Sequence, residues 1–104
     1  MYKLIDQVDV VRSKNSGPYE LTFDIMFKDK GHFDAFVDKQ VMTEAVFAQL
    51  YGINVDMVKS VISFAPSKAV KITIVRPMAS GDLGEKDIYG AQQHSPLLGF
   101  TYTL

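Results

Sequence analysis

Alternating apolar and polar residues mark the clearest element of the chain, a strand over residues 19–27. Successive side chains of a strand point to opposite faces, so every second residue shares one face. The apolar residues of this run form such a set: Leu21, Phe23, Ile25 and Phe27. The pattern therefore predicts a strand with one buried face.

A helical spacing of apolar residues follows this strand. Phe33, Phe36 and Val37 recur at the spacing of one helix face. A second helical stretch begins at Thr43, whose hydroxyl suits an N-cap, and ends at Gly52, which suits the position after a helix. The two stretches predict one interrupted helical crossover.

Two apolar runs after the crossover predict a pair of further strands. They cover residues 61–64 and 70–75, and residues 65–68 join them. Such a short connection favours an antiparallel hairpin. Pro77 ends the second run, because proline has no N–H for the ladder.

Weaker patterns at the two ends of the chain predict the remaining elements. Helical spacing predicts a short helix over 4–11, and the polar run 12–18, which ends in Gly-Pro, predicts a loop. A second loop is expected over 78–86, a short helix over 87–94, and a fourth alternating strand over 98–104.

The resulting order is strand, helix, strand, strand, short helix, strand. This βαββαβ order is that of the ferredoxin-like split βαβ, an α+β fold with an antiparallel sheet and helices on one face. The chain has 104 residues and is 47% hydrophobic, which is enough to build one core. We expect a single ferredoxin-like domain over residues 1–104.

Composition excludes several classes of function. The chain has no cysteine, which excludes disulfides, thiolate zinc sites and cysteine nucleophiles. The formal charge of −1 gives no field that would attract nucleic acid or an anionic membrane. The first residues lack the apolar segment of a signal peptide, and no apolar run is long enough to span a bilayer. We expect a cytoplasmic protein.

The acidic and imidazole side chains do not predict a metal site. Asp82, Glu85 and Asp87 do not match the spacing of a Ca²⁺ loop. His32 and His94 are not at ligand spacing. We expect no metal and no cofactor.

The two arginines predict an anion site. Arginine binds carboxylates and phosphates through two parallel hydrogen bonds, and both arginines border segments rich in turn residues. If these segments meet at one edge of the sheet, the site would contain Arg12, Ser13, Lys14, Asn15 and Arg76. The alternative is that both arginines pair with acids at the surface.

A second polar cluster lies before Pro96. Gln92 and Gln93 could orient a substrate, and His94 could act as general acid or base. The alternative is that these three side chains bind backbone groups where a helix gives way to an edge strand.

Two long motifs carry a family resemblance: residues 12–18 followed by 20–24, and residues 90–98. Over essentially its whole length the chain resembles a family of small bacterial proteins classed as a domain of unknown function. The first motif is also similar, more loosely, to the Arg-Ser-Gly-Asp-Lys-Gly loop of the small C-terminal domain in acyclic-terpene-utilisation (AtuA-like) proteins. Lys14-Asn15 replaces Gly-Asp here, so Arg12, Ser13 and Gly17 carry the likeness.

The resemblance implies a ferredoxin-like domain that works beside a larger AtuA-like partner in the catabolism of branched carboxylic acids or their CoA esters. Both this likeness and the arginines point to a ligand that bears a carboxylate, or to an acyl-CoA. The first hypothesis is therefore an accessory subunit that contributes an anion-binding site.

Two alternatives stay open. One is an independent small homodimeric enzyme, an isomerase or hydro-lyase, that uses His94 with Asp24 or Asp82 for proton transfer. The other is a non-catalytic structural or interaction module. Exposed sheet edges in such a fold often pair between copies, so we expect a homo-oligomer.

Overall fold

The fold was analysed in a computed structural model, which describes residues 1–17, 19–75 and 95–104. Within these ranges the chain is a mixed α+β structure with two antiparallel sheets and several short helices. The larger sheet has four strands in the order β2-β3-β5-β4. Their bounds are β2 Val8–Gly17, β3 Glu20–Phe27, β4 Val58–Phe64 and β5 Ala69–Val75.

The centre of the sheet is a split βαβ unit. β5 runs antiparallel to both β3 and β4, so these two strands are parallel to each other and β5 lies between them. The chain crosses from β3 to β4 through two helices, α2 (Lys30–Asp38) and α3 (Glu44–Tyr51). The predicted strand at 19–27, the interrupted crossover and the antiparallel hairpin are all confirmed.

Local capping explains where the crossover helices begin and end. The Asp29 carboxylate accepts a hydrogen bond from the His32 N–H at 2.8 Å and so caps α2. Thr43 Oγ1 accepts from the Val46 N–H at 3.2 Å, as predicted for α3. Gly52 follows α3 with a φ of +66°, in the left-handed region that glycine adopts most easily.

The predictions for the N-terminal residues 4–18 are wrong in part. The helix α1 covers only Leu4–Gln7, and residues 12–17 of the expected loop belong to the long strand β2, at one edge of the described sheet. β2 pairs with β3 from Val8 opposite Phe27 to Gly17 opposite Glu20. An edge strand with a solvent-facing side tolerates polar residues, and its backbone pairing outweighs the turn-like composition.

The prediction of a long fourth strand over 98–104 is also wrong. Helix α4 (Ser95–Leu98) is followed by a two-residue strand β6 (Thr101–Tyr102), which pairs with β1 (Tyr2–Lys3) in a separate sheet. The place beside β3 where a fourth ferredoxin-like strand would lie is occupied by β2. The loop predicted over 78–86 and the helix over 87–94 lie outside the described residues.

The described residues share one hydrophobic core, which lies between the larger sheet and the helices. Odd-numbered residues of β3 and even-numbered residues of β5 are buried there, as the alternating pattern predicts. We call the opposite side of the sheet, turned away from the helices, the outer face. Most of its residues are exposed or half-buried, and Thr22 and Ala69 are the buried exceptions among those described.

None of the helices in the described part of the chain has the length and apolar character needed to cross a membrane.

Candidate binding face of the sheet

The predicted anion-binding residues of the N-terminal motif lie on β2 and alternate between its two sides. Arg12 and Lys14 pair with Asp24 and Thr22, so they belong to the outer face. Ser13 and Asn15 instead lie opposite Phe23 and Leu21, on the side that carries the helices. Residues directly opposite each other on neighbouring strands share a face, so strand pairing separates Arg12 and Lys14 from Ser13 and Asn15.

Arg12 forms an ion pair with Asp24 on the neighbouring strand. The Arg12 Nε lies 3.3 Å from Asp24 Oδ2, and the Arg12 side chain is 58% exposed whereas that of Asp24 is 13% exposed. This pair fits the alternative in which the arginine meets a surface acid. The contact uses Nε, and a guanidinium has four further N–H donors on its two Nη atoms, which make no hydrogen bond to the described residues.

Two lysines on the outer face occupy register positions near Asp24. Lys71 lies opposite Asp24 on the side away from Arg12, and Lys14 is two residues along β2 from Arg12. Side chains at directly opposite positions have Cβ atoms about 4.5–5.5 Å apart. Arg12, Lys14 and Lys71 therefore form a basic cluster that has an excess of positive charge even with Asp24 included.

Exposed apolar side chains adjoin the basic cluster on the outer face. Ile62 lies opposite Lys71, and Phe64 lies opposite Ala69 one row further along. Both belong to β4, an edge strand of the described sheet, and they are 56% and 60% exposed. We call Ile62 and Phe64 the apolar edge.

A second ion pair lies at the other end of the outer face, where Glu20 pairs with Val75. Lys59 Nζ lies 2.7 Å from Glu20 Oε2, so this bridge spans β5 from β4 to β3. Both side chains are partly exposed, and an exposed pair of this kind contributes about 1 kcal/mol or less. The bridge neutralises Lys59, so the excess positive charge lies nearer to the apolar edge.

A tyrosine and a histidine meet at the end of the molecule where the small sheet lies. The Tyr102 hydroxyl and His32 Nε2 are 2.5 Å apart, and the Tyr2 ring packs edge-on against the His32 ring with centroids 4.9 Å apart. Burial, helped by the nearby Tyr2, raises the pKa of Tyr102 to about 12. Tyr102 therefore stays protonated at neutral pH and can donate to the imidazole.

This pair was not predicted from the sequence, where His32 was a candidate only as a metal ligand. The two residues are far apart in the chain, and no spacing rule connects them. Within the described residues, no three His, Cys, Asp or Glu side chains are grouped so that they could hold a metal ion.

A second buried tyrosine, Tyr51, lies on the helix side of the sheet. It packs against Phe23 and Phe47, with ring centroids 5.3 Å and 4.3 Å away. Burial raises the pKa of Tyr51, and a hydrogen bond with the backbone of Leu97 acts in the opposite direction. Its surroundings are those of a core residue that joins α3 to α4.

The remaining predicted site residues lie outside the described residues. They are Arg76, Gln92, Gln93 and His94, together with Asp82 as a possible partner of His94. Their roles in substrate binding and catalysis stay predictions.

Comparison with known proteins places the chain in a family. Residues 4–101 match the model of a family described as Domain of unknown function (DUF4387). No curated protein and no solved structure matches the chain. Because the family match covers nearly the whole sequence, the chain belongs to the DUF4387 family.

Proposed function

We propose that this member of the DUF4387 family is an accessory subunit that binds a larger AtuA-like partner and contributes an anion-binding site to it. The complex would act in the catabolism of branched carboxylic acids or their CoA esters, in the cytoplasm. The partner class comes from the likeness of the Arg12 motif to the small domain of AtuA-like proteins. The split βαβ unit agrees with the ferredoxin-like fold that the same likeness implies.

The observation that carries the proposal is the position of the basic cluster beside the apolar edge on one face. Interfaces combine an apolar centre with a charged or polar rim. Ile62 and Phe64 would supply the apolar contact, and Lys71 lies between them and Asp24 in the sheet. A partner that fits this surface presents an apolar patch bordered by carboxylates.

The same cluster supports binding of a carboxylate-bearing ligand. Asp24 holds the Arg12 guanidinium through Nε, which fixes the direction of the remaining N–H donors. Lys71 and Lys14 add charge without a fixed geometry. Arg76, Gln92 and Gln93 are proposed as further ligand contacts on the basis of the sequence motifs alone.

The alternative of an independent enzyme is less well supported. That hypothesis uses His94 with Asp24 or Asp82 for proton transfer, and Asp24 is already bonded to Arg12. The Arg12 guanidinium therefore occupies this carboxylate. The accessory function agrees better with a carboxylate used to position an arginine.

Partner binding is tested with a purified AtuA-like protein, by size exclusion with light scattering and by titration. We expect one complex, which Phe64→Glu weakens by about tenfold or more because it buries an unpaired charge. Lys71→Ala should weaken the complex less and reduce its salt dependence. Lys30→Ala, which removes an exposed lysine paired with Asp34 on α2, is the matched control and should bind as the parent does.

Two outcomes contradict this part of the proposal. One is the absence of a complex at micromolar concentrations of both proteins. The other is a homodimer of the domain that Phe64→Glu separates into monomers, because a second copy would then cover the surface reserved here for the partner.

Ligand binding is tested separately by thermal shift with small dicarboxylates and acyl-CoA esters. We expect a shift that Lys71→Ala and Arg12→Ala both reduce and that Lys30→Ala keeps. Arg12→Ala should have the larger effect, since it also leaves the Asp24 carboxylate without its cation. A shift that is equal in all three variants would place the anion elsewhere.

A further inference from the structure

A cavity of about 330 Å³ opens on the helix side of the sheet, away from the outer face. It lies where the crossover is interrupted, between the end of α2, the start of α3 and the strands β4 and β5. Because neither helix continues through residues 39–43, the end of β4 is left without a helix above it. The volume falls at the lower end of the range for small-molecule sites.

The floor of the cavity is apolar and the mouth is polar. Phe36, Met42 and Val70 are buried core residues that form part of the lining, and Val61 adds a half-buried aliphatic surface. The polar side chains of the lining are Gln40, Thr43, Glu44 and Ser63. An apolar interior with a few polar groups at one side is the usual composition of a ligand pocket.

The backbone at Gln40 supports a function for its side chain. Gln40 has a φ of +51°, in the left-handed region, and follows Lys39, the C-cap of α2, at the position where glycine is the usual residue. Its N–H bonds the Val37 carbonyl at 3.0 Å, and the Val41 N–H bonds the Phe36 carbonyl at 3.2 Å, so the helix end imposes this conformation. A glutamine side chain at a position that favours glycine, and lining a cavity, points to a role for that amide.

The charge at the mouth is negative. Glu44 is exposed in the first turn of α3, and within the described ranges its carboxylate has no ion-pair partner. Thr43 Oγ1 is used by the Val46 N–H, and the other polar residues of the lining are uncharged. A cationic hydrogen-bond donor is the end group that Glu44 and the Gln40 carbonyl would accept.

We propose that this cavity binds a small apolar molecule with a primary ammonium group at one end. The apolar part would lie on Phe36, Met42 and Val61, and the ammonium would donate to Glu44 and Gln40. At about 30 Å³ for each water-sized group, the cavity holds about ten non-hydrogen atoms.

Three probes with the same tail test the proposal: 3-phenylpropylamine, 3-phenylpropan-1-ol and 3-phenylpropanoate. Each is titrated into the full-length protein, and backbone amide shifts are followed by ¹H–¹⁵N NMR. We expect saturable shifts at Gln40, Val61 and Ser63, with the amine bound about two- to fivefold more tightly than the alcohol because Glu44 is exposed. The propanoate should bind most weakly.

Three variants test separately the contributions of the Glu44 charge, the Gln40 amide and the cavity volume to binding. Glu44→Gln should remove the preference for the amine over the alcohol, and Asp56→Asn, an exposed acid outside the cavity lining, should leave it unchanged. Gln40→Gly should weaken all three probes without lowering the melting temperature, since it relieves the positive φ. Ser63→Phe should fill the mouth and abolish binding, and it should fold because Ser63 is exposed.

Three results would overturn the proposal: no saturable shift with any probe, tightest binding by the propanoate, or unchanged binding in Ser63→Phe. Lys71→Ala leaves the cavity intact, because Lys71 is on the outer face and does not line it. Loss of the anion site and loss of the cavity site are therefore distinguishable in the same set of variants.

Discussion

Single residues show which side chains hold the core together. Phe47 is fully buried, and its ring stacks on Tyr51 at 4.3 Å and packs against Phe23 at 5.1 Å. Phe64 is the same residue type but is 60% exposed on the apolar edge. The two phenylalanines allow the effect of burial to be measured with the chemistry of the substitution held constant.

We predict that Phe47→Ala lowers the free energy of unfolding by about 3–5 kcal/mol, the range for a large buried aromatic residue. Phe64→Ala should change it by less than about 1 kcal/mol, because an exposed ring loses little burial. Urea denaturation of both variants measures the difference. Equal costs would mean that Phe64 is covered in the folded protein.

The buried tyrosine at the small sheet predicts a loss of stability in alkali. Burial raises the pKa of Tyr102 from 10.0 to about 12, so the folded state holds this proton more tightly than the unfolded state does. The resulting stability is fully present below pH 10 and is lost as the pH rises towards 12. Tyr51, whose pKa is also raised by burial, acts in the same direction.

Tyr102→Phe removes this ionisation, together with the hydrogen bond to His32. We therefore expect the variant to be less stable than the parent at neutral pH but to lose less stability as the pH rises from 10.0 to about 12, the interval between the unfolded and folded pKa values of Tyr102. Thermal unfolding across that range measures both effects. A parallel fall in the two proteins would show that Tyr102 does not contribute to the alkaline transition.

At the scale of the elements, local capping residues determine where the crossover helices begin and end. The edge strand β2 forms because it pairs with its neighbour β3. Thr43 and Gly52 bound α3 in the sequence and in the structure, because capping uses backbone groups within the same turn. β2 shows the opposite case: residues 12–17 carry loop-like composition, yet β3 supplies a pairing partner for them. The crossover helices were therefore predicted from the sequence, whereas the edge strand β2 was not.

Substituting either cap of α3 should lower the free energy of unfolding moderately, and for a different reason at each end of the helix. Thr43→Ala should lower the free energy of unfolding by about 1 kcal/mol, because the Val46 N–H loses its acceptor. Gly52→Ala should cost about 1–2 kcal/mol, since φ is +66° and the cost is conformational.

Steric crowding does not contribute at Gly52, where an added Cβ would meet nothing within 4 Å. Gly52→Asn should consequently recover part of the loss, because asparagine tolerates the left-handed region. Chemical denaturation of the three variants measures their free energies of unfolding and so gives the order of their stabilities. An asparagine variant less stable than the alanine variant would show that the conformation at Gly52 is not the cause.

At the scale of the whole molecule, both ends of the chain join the same core. Leu4 and Val8 from the N-terminal segment are buried in one cluster with Leu97 and Tyr102 from the C-terminal segment. The Leu4 N–H donates to the Phe100 carbonyl at 3.0 Å, and β1 pairs with β6 beside this bond. This small sheet has only two residues in each strand, so it depends on the packing of its neighbours.

This arrangement predicts uneven protection from hydrogen exchange. β3 and β5 are central strands with neighbours on both sides, whereas β1 and β6 form a minimal pair. We expect the slowest exchange at the β3 and β5 amides that take part in the sheet ladders, and exchange through local opening at the amides of β1 and β6. Equal protection of Thr101 and Ile72 would show that the two sheets open as one unit.

Part of the candidate site was predicted from the sequence, and part of it was found only in the tertiary structure. Arg12 and Lys14 were predicted as anion-binding residues from their type and neighbours, and the structure places both on the outer face. The third member of the basic cluster, Lys71, was not found, because it joins the others only through the register of β3 with β5. The cavity at the interrupted crossover was missed for the same reason, since its lining comes from two helices and two strands.

The sequence by itself determined the parts of this protein that depend on near neighbours in the chain. These are the strand at Glu20–Phe27, the interrupted crossover with the caps of α3, the β4–β5 hairpin, and the buried faces of β3 and β5, because periodicity and capping act over a few residues. Only the tertiary structure decided which strand lies beside β3, where the C-terminal residues pair, and which charges share a face. Those features are contacts between residues far apart in sequence, and their free energy comes from backbone pairing and burial that no local pattern encodes.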